Sequence, residues 1–297
     1  MPMTAVYLRH RRPIDYGTAP GSTTISRRGR ELFRRFANLA MGALSDAQAD
    51  SEYTLVYGGS TEPAFANAGL AISSGAGTVG ATLNGVAVTA TYATSDTNSA
   101  ALIAAAINAS TNALVQGFFI ASNLTATLTL TSVAAGDTVE IGGFQFVANS
   151  GTRVNTVSGA NIGYFDVSGN DAADATSLAV AINSCPSLDR YVFAVPVSNV
   201  VRLFAARANY TSATNTFSFP TGPGIPTNNI LSKASTIAAS GSTLAAGAFV
   251  GIEAGVPGVI GNAFTIAASG TGVSVLNTET RLNRGAALNV VGITDNC

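Results

Sequence analysis

The sequence predicts a mainly β fold of the α+β class: two related small α/β units and a β-rich C-terminal segment, preceded by an extended N-terminal arm and helix. The first observation behind this is an internal duplication. The stretch Asn98-Ser99-Ala100-Ala101-Leu102-Ile103-Ala104-Ala105-Ala106-Ile107-Asn108 aligns with Ala173-Asp174-Ala175-Thr176-Ser177-Leu178-Ala179-Val180-Ala181-Ile182-Asn183 at an offset of 75 residues. Each follows a strand-like stretch around glycine (Leu83-Asn84-Gly85-Val86 and Ile141-Gly142-Gly143-Phe144). Each precedes a strand, a turn and another strand, with turns at Ser122-Asn123-Leu124 and Ser198-Asn199-Val200. The second observation is composition. Ala and Val dominate the 47% of hydrophobic residues, aromatics are 7%, Trp is absent and Gly numbers 31, as in a β-rich chain with many tight turns. The third is that only one helix pattern accompanies each unit of about 75 residues, whereas a doubly wound parallel sheet needs regular strand–helix alternation.

Taken in order, the chain divides into four segments. Residues 1–50 form the arm and an amphipathic helix. Prolines 2, 13 and 20 keep the arm extended; Ser26 then caps a helix to about Met41, with Leu32, Phe33, Phe36, Leu39 and Ala40 on one face. Residues 51–135 hold the first α/β unit, which opens with a loop from Ser51 to Gly80. Val86, Val88 and Ala90 then alternate with Ala87, Thr89 and Thr91 as a strand. Asp96 or Thr97 caps the alanine-rich helix, whose apolar face is Leu102, Ile103, Ala106 and Ile107. A hairpin of Val115–Ala121 and Leu124–Leu130 follows, leucines inward and threonines outward. Residues 136–215 repeat the unit, with an Asn/Ser/Gly-rich insertion at 149–171. Residues 216–297 begin with a Pro-rich linker and continue as strands at 249–253, 262–267 and 272–276, separated by glycine turns.

Charge is scarce and unevenly spread. Charged residues are 10% of the chain, well below the usual quarter. Such a surface is best explained if neighbouring subunits cover much of it, because desolvating charge at an interface centre is costly. Arg9, Arg11, Arg12, Arg27, Arg28, Arg30, Arg34 and Arg35 face only Asp15 and Glu31 in the first 35 positions, whereas the remainder carries seven basic and 14 acidic residues. These eight arginines are the expected assembly interface, docking on an acidic surface of another subunit. Nucleic acid is the weaker alternative: the patch lacks stacking aromatics and the acidic body repels a duplex.

Catalytic and cofactor motifs do not survive inspection. Gly75-Ala76-Gly77-Thr78-Val79-Gly80 matches the dinucleotide fingerprint but leads into a strand rather than a helix. The only histidine, His10, lies in the arginine-rich arm, so no serine or cysteine has an oriented base. Asp171 and Asp174 fit a helix N-terminus better than a catalytic pair. Cys185 and Cys297 form neither a disulfide framework nor a metal motif; an intersubunit disulfide through Cys297 stays open beside a free thiol. No enzyme activity, cofactor, metal or small-molecule substrate is expected. The longest apolar run, Ala100 to Ile107, is too short for a bilayer, and the arginine-rich start lacks a signal-peptide core.

The last segment runs Pro257-Gly258-Val259-Ile260-Gly261-Asn262-Ala263-Phe264-Thr265-Ile266, then Gly270-Thr271-Gly272-Val273-Ser274-Val275, then Leu282-Asn283-Arg284-Gly285-Ala286. It resembles the Pro-Gly-x-x-Gly-Asn, strand, Leu-x-Gly-Gly succession of tail sheath, tail tube and related structural proteins of tailed bacteriophages. Arg284 stands in place of that ending's first glycine. With the repeated units, the resemblance covers roughly residues 79–290. It implies a virion structural subunit, assembled in the host cytoplasm with copies of itself and other virion proteins, in the tail or neck. A capsid decoration protein is the alternative placement. A carbohydrate- or receptor-binding adhesin module is the alternative of another class, although such sites favour the aromatic platforms this chain lacks.

Overall fold

The computed structural model describes residues 53–57, 65–73, 75–150, 162–167, 169–185, 188–211, 214, 216–219, 226–257, 259–284 and 290–295. In chain order the strands are β1 (Tyr53–Tyr57), β2 (Phe65–Ile72), β3 (Thr78–Leu83), β4 (Val86–Thr91), β5 (Phe119–Leu130), β6 (Thr138–Ile141), β7 (Phe144–Asn149), β8 (Ile162–Asp166), β9 (Val192–Val197), β10 (Val200–Ala205), β11 (Tyr210–Thr211), β12 (Thr216–Phe217), β13 (Ile230–Ser232), β14 (Ile237–Ala239), β15 (Ala245–Pro257), β16 (Ile266–Gly270), β17 (Val273–Val275) and β18 (Val290–Asp295). Two α-helices, α1 (Asp96–Asn108) and α2 (Asp171–Asn183), interrupt them. The protein is mainly β, as the sequence predicts.

Two compact units result, one from residues 63–286 and one from residues 1–62 with 287–297. The described part of the latter is a ribbon of β1 and β18, antiparallel from Tyr53↔Asp295 to Tyr57↔Val290.

Within residues 63–286 the main sheet has the order β17-β2-β15-β5-β10-β9, with β14 also on β5. Every pairing in it is antiparallel. Alternation assigns its faces. Val250, Ile252 and Ala254 of β15 join a core with Ile103 and Ile107 of α1, while Leu203 of β10 joins one with Leu178 and Ile182 of α2. Between those core positions, Gly251 and Phe204 face the other way, toward Phe193. Both helices therefore cover one face, and among the described residues the other carries the apolar cluster of Phe193, Val195, Phe204, Ala206 and Leu276.

The hairpins β3–β4 and β6–β7 open the two copies. Their turns, Asn84-Gly85 and Gly142-Gly143, hold positive φ at both residues, the requirement of the tight turn that matches strand twist. The β3–β4 hairpin is extended by β16, and the β6–β7 hairpin by β13 and, in parallel, β8.

Several expectations need correction. Residues 51–80 do not form a loop throughout: β1 and β2 lie within them. Ala66, Asn67, Ala68, Gly69, Leu70 and Ile72 of β2 are buried, so the strand shows no alternation, and its small residues mute the signal in the sequence. The first copy has no hairpin at Ser122-Asn123-Leu124. The chain runs through as β5, with Ser122 buried and its Oγ accepting the Leu124 N–H. The second copy does turn, at Ser198 with φ 52°. The expected strand at 262–267 begins instead within a 3-10 helix, Val259–Ala263. The insertion of the second copy contains β8.

Candidate functional site

The duplication is most concrete at the helix ends. Asn108, the last residue of α1, donates through Nδ2 to the Ala121 carbonyl and accepts the Ala121 N–H at Oδ1, both at 2.8 Å. Asn183, the last residue of α2, does the same with Ala194, again at 2.8 Å twice. In an antiparallel sheet a residue's N–H and C=O point to one side. Each amide thus occupies the side of its strand away from its neighbour, where a further strand would pair. The neighbours also correspond: Ala194 faces Leu203 of β10, and Ala121 faces Ile252 of β15. The return strand that the first copy lacks locally is supplied by the C-terminal segment, which joins segments 51–135 and 216–297 in one sheet.

The helix starts differ from expectation. Ser95 caps α1, accepting the Asn98 N–H, while Asp96 accepts from the Tyr92 hydroxyl at 2.9 Å, which raises the tyrosine pKa. Asn170 caps α2, accepting from Ala172 and Ala173. Asp171 and Asp174 fall in the first turn, where the helix dipole favours carboxylates. Asp171 accepts the Ser132 N–H at 2.7 Å. Asp174 is buried, and burial, then Asp171, raises its pKa. The fingerprint at Gly75–Gly80 enters β3, so it lacks the helix that would face a pyrophosphate. Asp137 accepts from Ala134 and Thr236, and Glu140 pairs with Lys233 at 2.8 Å.

A buried polar centre lies on β15. Glu253 is 2% exposed and accepts the Arg207 N–H at 2.8 Å. Arg207 also donates to the Gly255 carbonyl, and its guanidinium sits 4.1 Å from the centre of the Phe65 ring. Burial drives the Glu253 pKa up to about 8, with Asp189 adding to the rise and Arg207 opposing it. A carboxyl in this setting holds its proton at neutral pH and serves the fold as a neutral acceptor. A second lock lies near the C-terminal end. Arg284 binds Glu279 through two nitrogens, at 2.8 and 3.1 Å, and Asn67 through its side-chain and backbone oxygens. Its φ of 68° is in the left-handed region, the conformation that favours the glycine expected there by resemblance. Cys185 is buried and not in a disulfide. Among the described residues, no group of three or more His, Cys, Asp and Glu side chains could hold a metal.

The expected interface arginines, Arg9, Arg11, Arg12, Arg27, Arg28, Arg30, Arg34 and Arg35, and the helix predicted at 26–41 lie outside the described residues. A different surface stands out. From residue 63 to residue 136 the only charged side chain is Asp96. That stretch builds β2 to β5 and α1, and its exposed residues are uncharged, mostly Thr, Asn and Ala with two leucines. Asn98, Ala101 and Leu102 are exposed on α1, with Leu102 at 46%, which corrects its expected place on the buried face. Ser99, Ala100, Ile103, Ala104 and Ile107 are buried instead. Leu114 is 53% exposed beside the β3–β4 turn, its carbonyl accepting from Asn84. Ala87, Thr89 and Thr91 are exposed along β4. The missing charges could have been found by plotting charge along the sequence rather than summing it over large segments.

No family model, curated protein or solved structure matches the chain. Among the described residues no helix is long and apolar enough to cross a membrane.

Proposed function

We propose that the chain is a structural subunit of a tailed-bacteriophage virion, assembling with copies of itself in the tail or neck. The observation that carries this reading is the nearly charge-free outer surface of the first copy, where exposed leucines stand without the charges that normally keep a surface solvated. Such composition belongs to the centre of protein–protein interfaces. The duplicated helix–strand lock and the resemblance of residues 257–286 to tail structural proteins support the same reading. The basic arm adds a salt-sensitive contact to the acidic remainder of a neighbouring copy. A sugar-binding role is less well supported, because the exposed large hydrophobics among the described residues are Leu and Ile rather than aromatic platforms. Mass spectrometry of purified particles, followed by imaging with a labelled chain, tests the proposal. Label on tail or neck is the expected result, label on the capsid favours the decoration role, and absence from particles refutes both.

A further inference from the structure

We propose that the open edge of β4 pairs antiparallel with β4 of a second copy about a two-fold axis, Thr89 facing Thr89; this rests on the self-assembly reading above and names the surface it uses. The hairpin register decides which groups are free. Leu83↔Val86 flanks a two-residue turn and is a hydrogen-bonded pair, so Ala81↔Val88 and Val79↔Ala90 are too. The bond from Tyr92 N–H to the Gly77 carbonyl, at 2.7 Å, continues that phase. The N–H and C=O groups of Ala87, Thr89 and Thr91 therefore point away from β3, and no described strand lies beside them.

Other edge strands within residues 63–286 are short or carry protection. β9 has Pro196, and the Asn183 amide covers Ala194. β8 ends on Asp166, and β13 is three residues long, with Lys233 directly after it. β17 is three residues long, and β16 meets Thr280 and Arg281. β4, by contrast, is Val-Ala-Val-Thr-Ala-Thr, with neither charge nor proline. Natural proteins do not normally leave such an edge open, since it is a template for another strand. A charged partner finds no complement here, whereas an identical edge does. A two-fold axis through Thr89 uses all three outward residues, setting Ala87 of one copy against Thr91 of the other.

The register makes the test specific. In the full-length chain, Ala87→Lys with Thr91→Lys places lysines opposite lysines and should weaken association roughly tenfold or more. Ala87→Lys with Thr91→Glu places Lys opposite Glu and should restore it, which excludes misfolding as the cause. In a Cys297→Ser background, Thr89→Cys should give a covalent dimer with a short bismaleimide, whereas Thr176→Cys, on the exposed face of α2, should not. If the chain associates but the lysine pair does not weaken it, the Lys/Glu pair does not restore it, or Thr89→Cys does not cross-link, this surface is wrong and self-assembly stands. A chain that is monomeric at every concentration overturns both.

Discussion

Asn183 and Ala194 are joined by two hydrogen bonds of 2.8 Å, from one side-chain amide to both backbone groups of one strand residue, and Asn108 repeats the arrangement on Ala121. Asn183 and Ala194 are both buried, so water cannot replace the amide there. Asn183→Ala orphans a donor and an acceptor together and should cost about 2–4 kcal/mol. Asn108→Ala should cost less, because Asn108 is only half-buried. Urea unfolding midpoints of the two variants check the order; equal and negligible shifts would mean the locks are incidental.

Glu253 gives stability a pH dependence of definite sign. Its pKa in the folded protein, about 8, lies above the ordinary 4.5, so the folded state holds the proton more tightly than the unfolded one. The stabilisation is complete below pH 4.5 and is lost as pH rises through 8. Between those values the slope from this group approaches about 1.4 kcal/mol per pH unit. Glu253→Gln keeps an acceptor for the Arg207 N–H and should flatten that part of the profile. Denaturant titrations at pH 5, 7 and 9 compare the two chains, and a wild-type profile no steeper than the variant's contradicts the assignment.

Gly251 lies where the sheet face opposite the helices closes on aromatic rings. A Cβ there would come within 2.5 Å of Phe204 Cγ and 2.7 Å of Phe193 Cζ, rings that stack at 5.3 Å between centroids. Gly251→Ala should therefore destabilise by about 1–3 kcal/mol. Thermal unfolding should show a lowered midpoint; an unchanged one would mean the rings yield freely.

Arg284 combines an unfavourable backbone conformation with four hydrogen bonds. Arg284→Ala loses the bonds, strands Glu279, and keeps the left-handed φ, for a cost of about 3 kcal/mol. Arg284→Gly loses the same bonds but relieves the backbone by about 1 kcal/mol. Calorimetry should place glycine above alanine in stability, and the reverse order would remove backbone strain from the explanation.

Much of the local architecture was legible in the sequence because its signals are local. The two Ala-rich helices end on the asparagines that set the repeat, and Asn84-Gly85 and Gly142-Gly143 make the turns their residues demand. Long-range partners were not legible. Nothing near Ser122 announces that β15, more than a hundred residues later, takes the place of a hairpin strand. Ser122-Asn123 reads like Ser198-Asn199, but only Ser198 adopts the positive φ of a turn. Glu253 sits between the core residues Ile252 and Ala254, so alternation assigns it to the other sheet face, and only the fold brings Arg207 over it. β2 was hidden by Ala and Gly, whose burial depends on close approach rather than on hydrophobicity.

Sedimentation velocity of the purified 29.9 kDa chain across concentration and salt tests most directly whether it assembles with itself. Species larger than the monomer are expected, weakened by salt and by deletion of residues 1–25, with the folded signal of the remainder intact. A monomer at every concentration and salt would contradict it.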